Sequence, residues 1–120
     1  MAPRNSFKSG SCEMLVLHIL EQYGDCYAYQ ISQIIQQLSD NKLYFPEGSL
    51  YPALYRLQEN GYISAEKRQA GKRLERIYYH IEPTGKDYLK TLITDYNYLN
   101  EAIHNILYHK TVQQEDLSSE

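Results

Sequence analysis

The middle of the chain holds the side chains best suited to chemistry. Residues 49–63 read SLYPALYRLQENGYI. Ser49, Tyr51 and Tyr55 carry hydroxyls that can donate to phosphate oxygens, and Arg56 can take a phosphate or a guanine edge through two hydrogen bonds. Pro52 sits among them. Further on, Arg68, Lys72 and Arg73 gather around Ala70-Gly71, and Lys42 precedes the stretch. Together these groups suit a polyanion. Each also has an ordinary reading, since an outward tyrosine is often half-buried surface and a Lys-Arg pair is often a solvated turn. The signal is their joint position on one face, where Tyr51, Tyr55 and Arg56 point away from the leucine line.

Charge distribution agrees. The chain of 120 residues has a formal net charge of −3. Residues 42–86 nevertheless carry eight basic and five acidic side chains, a net of +3, between acidic flanks. A basic middle points to an anionic partner. Catalytic patterns are missing. His18, His80, His104 and His109 form no HxxxH or HExxH, and there is no Gly-rich phosphate loop or paired acid and base. His104 and His109, five apart, are not expected on one helix face. No enzyme activity, metal or cofactor is expected.

The elements that must position these groups follow from periodicity. One domain with one core fits this length. Residues 1–10 lack periodicity and read as a flexible arm. A first helix is expected from Ser11 to Tyr23, buried through Leu15, Val16, Leu17, Ile19, Leu20 and Tyr23, and stopped by Gly24. Asp25 can cap a second helix whose apolar face is Tyr27, Ile31, Ile34, Ile35 and Leu38. After the linker NKLYFPEG, a third helix starts near Gly48 or Ser49, with Ser49 as N-cap, and stops at Asn60-Gly61. Leu50, Leu54 and Leu57 dock it. Pro52 then falls in the first turn, where its missing N–H costs nothing. Tyr62 to Lys67 and Arg76 to Ile81 read as the strands of a hairpin.

Pro83 opens a long last helix. Its apolar residues Leu89, Leu92, Tyr96, Leu99, Ile103 and Ile106 step by 3, 4, 3, 4 and 3, a heptad stripe. Such a stripe, longer than its own domain, calls for a partner. The longest mostly apolar run, MLVLHIL, is far short of the ~20 residues of a membrane span. Two isolated cysteines and no visible leader fit a reducing cytoplasm.

The expected fold is mainly α with a small β-hairpin wing: a winged helix-turn-helix plus a long C-terminal dimerisation helix. The division is 1–10 flexible arm, 11–82 winged helix-turn-helix DNA-binding domain, 83–109 dimerisation helix and 110–120 flexible tail. In helix-turn-helix proteins the recognition helix enters the major groove with its N-terminal residues at the bases. The third helix takes that part. Lys42, Ser49, Tyr51, Pro52, Tyr55, Arg56, Arg68, Lys72 and Arg73 are the candidate DNA contacts.

Three segments carry a family resemblance: LVLHILEQYGDCYAYQISQII, GSLYPALYRLQENGYI and RIYYHIEPTGKDYL. In that order they resemble the PadR family of transcriptional regulators. The motif Gly-Ser/Thr-Leu-Tyr-Pro-x-Leu, then x-x-Leu-x-x-x-Gly, is matched by Gly48 to Leu54, Leu57 and Gly61. The resemblance covers roughly residues 12–95. It implies a winged-helix homodimer on an inverted-repeat operator, usually a repressor, in some members released by a small aromatic effector. It places Ser49, Leu50, Tyr51 and Arg56 in the DNA-reading helix; spacing keeps Leu50 in the core. Gly71-Lys72-Arg73 stands where relatives have Gly-Pro-Arg, and Ile81-Glu82-Pro83-Thr84-Gly85 replaces the usual Leu-Thr-Glu-Glu-Gly. With no tryptophan but 13 tyrosines, an effector pocket would rest on tyrosine. Tyr96 on the seam is the candidate, against the plainer reading of packed core. The competing reading of the whole chain is a protein-interaction winged helix without sequence-specific DNA binding, which the pI of about 5.8 favours.

Overall fold

A computed structural model describes residues 2–109 and 111–113. The order is α1 (Ala2–Tyr23), β1 (Cys26–Tyr27), α2 (Ala28–Leu38), α3 (Glu47–Glu59), β2 (Ile63–Gln69), β3 (Glu75–Ile81) and α4 (Pro83–Tyr108). Three helices followed by a wing match the expected plan. The sheet is antiparallel in the order β1-β3-β2.

The core consists of the apolar faces that periodicity singles out. Val16, Leu17, Ile19 and Leu20 of α1, Ile31 and Ile35 of α2, and Leu50, Leu54 and Leu57 of α3 are buried, with Ile63 and Ile81 of the wing. Tyr23 and Leu38, expected inside, are exposed because each is the last residue of its helix, where the buried stripe runs out. Small residues take over on α2: Ala28 and Ser32 are buried. Burying a hydroxyl costs stability unless it is bonded. The Ser32 Oγ donates to the Phe45 carbonyl at 2.6 Å and so ties down the α2–α3 linker.

Three sequence expectations change. Residues 2–10, read as an arm without periodicity, are helical. Extending a helix adds one hydrogen bond per residue without a new nucleus, and Pro3 falls in the first turn. Second, β1 is new, and its two residues are too short for any period. It pairs Cys26 with Tyr79 and Tyr27 with Tyr78. Third, Asp25 does not cap α2. Tyr27 is the N-cap, and the Gln30 side chain accepts its N–H at 3.1 Å. Cys12 and Cys26 are both buried and no disulfide joins them.

The stop of α3 is a Schellman turn. Gly61 takes φ +77°, its N–H bonds the Gln58 carbonyl, and the Tyr62 N–H bonds the Leu57 carbonyl at 2.9 Å. Two compact units divide between Lys90 and Thr91. The expected boundary before Pro83 falls later because Gly85 and Leu89 are buried in the first unit. The start of α4 is pinned there. The Thr84 hydroxyl donates to the Gly61 carbonyl at 2.7 Å, the Glu82 N–H donates to the Tyr62 carbonyl at 3.0 Å, and the Tyr88 ring stacks on Tyr62. No described helix is long and apolar enough to cross a membrane. The expected tail at 110–120 lies outside the described residues, except for 111–113, which have no regular structure.

Candidate nucleic-acid interface

The third helix begins earlier than its sequence advertises. Pro46 is the N-cap and Glu47 the first helical residue, so Ser49 is not the cap. Its hydroxyl instead donates to the Pro46 carbonyl at 2.8 Å. Pro52 therefore lies inside the helix rather than in its first turn. It has no N–H for the Gly48 carbonyl. Gly48 and Pro52 are both exposed, so water can take that carbonyl's bond.

The outward side of α3 splits into two flanks. Leu50, Ala53, Leu54 and Leu57 form the buried line. Tyr51 and Arg56 are five residues apart, which turns them roughly 140° from one another about the helix axis. On one flank the Tyr51 hydroxyl donates to Glu47 Oε2 at 2.9 Å. Burial, and then that bond to a carboxylate, push its pKa up to about 12, so Tyr51 stays a neutral donor. Tyr55 follows it, 65% exposed. On the other flank Arg56 Nε meets Glu13 Oε2 of α1 at 2.6 Å. The expectation of one face carrying Tyr51, Tyr55 and Arg56 is corrected on this point.

The wing supplies the second group. Its strands pair Arg68 with Arg76, which puts two cations side by side. Each is held over a ring: the Arg68 guanidinium is 4.7 Å from the Tyr78 centroid and that of Arg76 is 4.3 Å from the Tyr27 centroid. Arg68 also donates to Asp25 Oδ2 at 2.6 Å and to Glu66 at 3.1 Å. It is therefore a bound cation on the sheet, not a free one at the loop tip. Asp25, on the α1–β1 turn, reaches both strands, because His80 Nδ1 of β3 lies 2.8 Å from Oδ1. His80 and then Arg68 hold the Asp25 carboxyl below the usual carboxylate range.

That shift has a sign. A carboxyl with a lowered folded pKa adds stability above its unfolded value, near ~3.9, and the gain disappears as pH falls through the folded value. Asp25→Asn is expected to lower the melting temperature at neutral pH, with the gap from the wild type closing as pH falls below ~4. A gap that stays constant down to acid pH would exclude the charge of Asp25 as its cause.

Lys72 and Arg73 do occupy the wing tip. The turn is closed by the Ala70 N–H on the Leu74 carbonyl at 2.7 Å, and both side chains are exposed. Neither is ion-paired among the described residues. Lys42 is exposed in the α2–α3 linker.

The two groups meet in an open cleft of about 440 Å³, lined by Tyr27 and Tyr29, by Glu47 and Tyr51 of α3, and by Arg76 and Ile77 of β3. Glu47, Tyr29 and Arg76 were not among the sequence candidates. The approach of α3 to β3 is a tertiary fact, although the strand register opposite Arg68 could have nominated Arg76.

The second unit presents apolar side chains. Leu99 is 60% and Ile106 75% exposed, and Tyr96 and Ile103 are also exposed. Leu92 is half-buried. Leu89, assigned to the interface by its heptad position, is 2% exposed and belongs to the core of the first unit. The rings of His104 and His109 approach to 4.8 Å, contrary to the expectation from their spacing. His109 follows the last residue of α4, so ideal helical angles no longer govern it. No group of three or more metal-ligating side chains occurs among the described residues.

Comparison with known proteins gives consistent relatives. The family model described as the transcriptional regulator PadR-like family matches residues 16–91. A transcriptional regulator from Clostridium thermocellum is 30% identical with a TM-score of 0.77, the similarity covering 88% of this chain and 99% of that one. A PadR family transcription regulator from Clostridium difficile is 26% identical with a TM-score of 0.65, covering 81% of this chain and 98% of that one. PadR of Bacillus subtilis, solved in complex with operator DNA, is 20% identical with a TM-score of 0.58. That similarity covers 85% of this chain and 50% of the B. subtilis chain.

Proposed function

Because this chain belongs to the PadR-like family of transcriptional regulators, which are not enzymes, we propose that it is a sequence-specific DNA-binding repressor. It acts in the cytoplasm as a homodimer on an inverted-repeat operator. The observation that carries this reading is the shared cleft: the N-terminal half of α3 and the wing strand β3 line one open surface. The fold shared with a PadR solved on operator DNA supports it. Tyr51 and Tyr55 of α3 face the bases and nearby phosphates. Ser49 and Pro52 line the backbone approach, and Lys72 and Arg73 of the wing, with Lys42, grip phosphates. Arg56 and Arg68 act from within ion pairs, the former steadying α3 on α1 and the latter fixing the wing. The α4 residues Leu92, Tyr96, Leu99, Ile103 and Ile106 pair with those of a second copy. Two α3 helices then enter successive major grooves ~34 Å apart. Tyr96, exposed on that seam, is the place for a small aromatic effector that releases DNA.

The test is a salt titration of binding to the promoter fragment of its own gene, followed by fluorescence anisotropy. Each phosphate contact contributes ~0.9 to the slope of log K against log salt. Lys72→Ala with Arg73→Ala removes two contacts per protomer. The slope is expected to fall by about 3 to 4 and affinity by on the order of 100-fold at low salt, with the dimer intact. Equal affinity and slope would remove the wing tip from the interface. A second reading has one observation in its favour: Glu13 and Asp25 already hold two of the expected DNA-binding arginines. It is a winged helix that docks on protein. Binding to all duplexes that is weak and insensitive to salt would establish it in place of the first.

A further inference from the structure

The leading end of α3 carries a charge of the wrong sign for DNA. From Glu47 to Tyr55 the only ionisable acid or base of ordinary charge is Glu47, the first helical residue. It is exposed and lines two clefts, both of which Tyr29 also lines. On the reading above, this is the end of the recognition helix that reaches base edges. A duplex presents about one negative charge per ~1.7 Å of axis. A carboxylate placed there is repelled unless it finds donors, because it can only accept hydrogen bonds.

In the major groove the donors are the amino groups of cytosine and adenine. Adenine sets an acceptor, N7, beside its amino group, which suits an amide better than a carboxylate. Cytosine presents its N4 amino group without one. The Tyr51 hydroxyl bonds Glu47 Oε2 at 2.9 Å, which orients the carboxylate and leaves Oε1 for a second donor. No ion pair engages Glu47 among the described residues.

We propose that Glu47, steadied by Tyr51, is a specificity-determining residue that accepts a hydrogen bond from the N4 amino group of a cytosine in each operator half-site. The assignment rests on the DNA-binding reading above. An acid in a helix's first turn is also favoured by the helix dipole. That role would alter melting but not base preference.

The experiment selects binding sites from a pool of randomised duplexes with the full chain at one salt concentration. It compares the wild type with Glu47→Ala and Glu47→Gln, after melting curves show both variants folded. Wild-type sites are expected to share a C·G pair at one position in each half-site. Glu47→Ala loses that preference by roughly tenfold, and Glu47→Gln moves it to adenine, whose N6 and N7 suit an amide. The same preference in all three proteins overturns the assignment and leaves DNA binding standing. So does tighter binding to every sequence with preference unchanged, the result if Glu47 only repels phosphate. A wild type that enriches no sequence overturns the DNA-binding reading, and the assignment with it.

Discussion

Gly85→Ala is expected to destabilise the first unit by about 3 kcal/mol, near the upper end of overpacking costs. A Cβ at Gly85 would come within 2.2 Å of the Tyr62 carbonyl oxygen and 3.0 Å of an Ile81 side-chain carbon. The oxygen cannot move aside cheaply. It accepts the Glu82 N–H, and Tyr62 is fixed by the Schellman turn that ends α3. Alanine is the better helix former by ~1 kcal/mol, which offsets only part of the clash. For a unit of this size the melting temperature should fall by roughly 10–20 °C. Gly48→Ala is the control, since nothing lies within 4 Å of its added Cβ. It should leave melting unchanged or raise it slightly. Equal melting of the two variants would mean that α4 does not seat against Tyr62 as described.

The second large effect concerns assembly. Leu99→Glu with Ile103→Glu places four carboxylates in the seam of a paired α4. Burying unpaired charges costs several kcal/mol each, so the variant is expected to be monomeric at micromolar concentration by light scattering. Its first unit should still melt cooperatively. On the proposed reading of a homodimer on an inverted repeat, a monomer meets one half-site and loses the effective concentration that linkage provides. Operator affinity should then fall by on the order of 10² to 10⁴, while the salt slope per protomer is kept. A variant that stays dimeric would move the interface off these α4 residues.

These results would weigh differently on the two levels of the reading. Gly85 tests only packing within one chain, which periodicity had partly disclosed. The assembly variant tests a surface that the single chain leaves exposed. The exposure of Leu99 and Ile106 agrees with an unpartnered stripe, and a heptad pattern is enough to anticipate that. The same pattern misassigned Leu89. A position on a stripe says which way a side chain faces, not whether its own domain already covers it.

Much of this protein was legible from one sequence because the interactions involved are local. The leucines of α3 and the heptads of α4 follow from helical spacing. Gly61 marks a stop because only a left-handed residue continues that turn cheaply. The order of three helices, hairpin and long helix specified the winged plan. Tertiary structure alone decided which cations are spoken for. Arg56 finds Glu13, and Arg68 finds Asp25, each across 43 residues of sequence. It also decided the short strand β1 and the approach of Glu47 and Tyr51 to the wing. An ion pair depends on distance in space at ångström scale, and no period along the chain encodes that distance. Helical spacing therefore named the residues that α3 turns outward. Their division into a hydrogen-bonding flank and an ion-paired flank came from the neighbours that folding sets beside them.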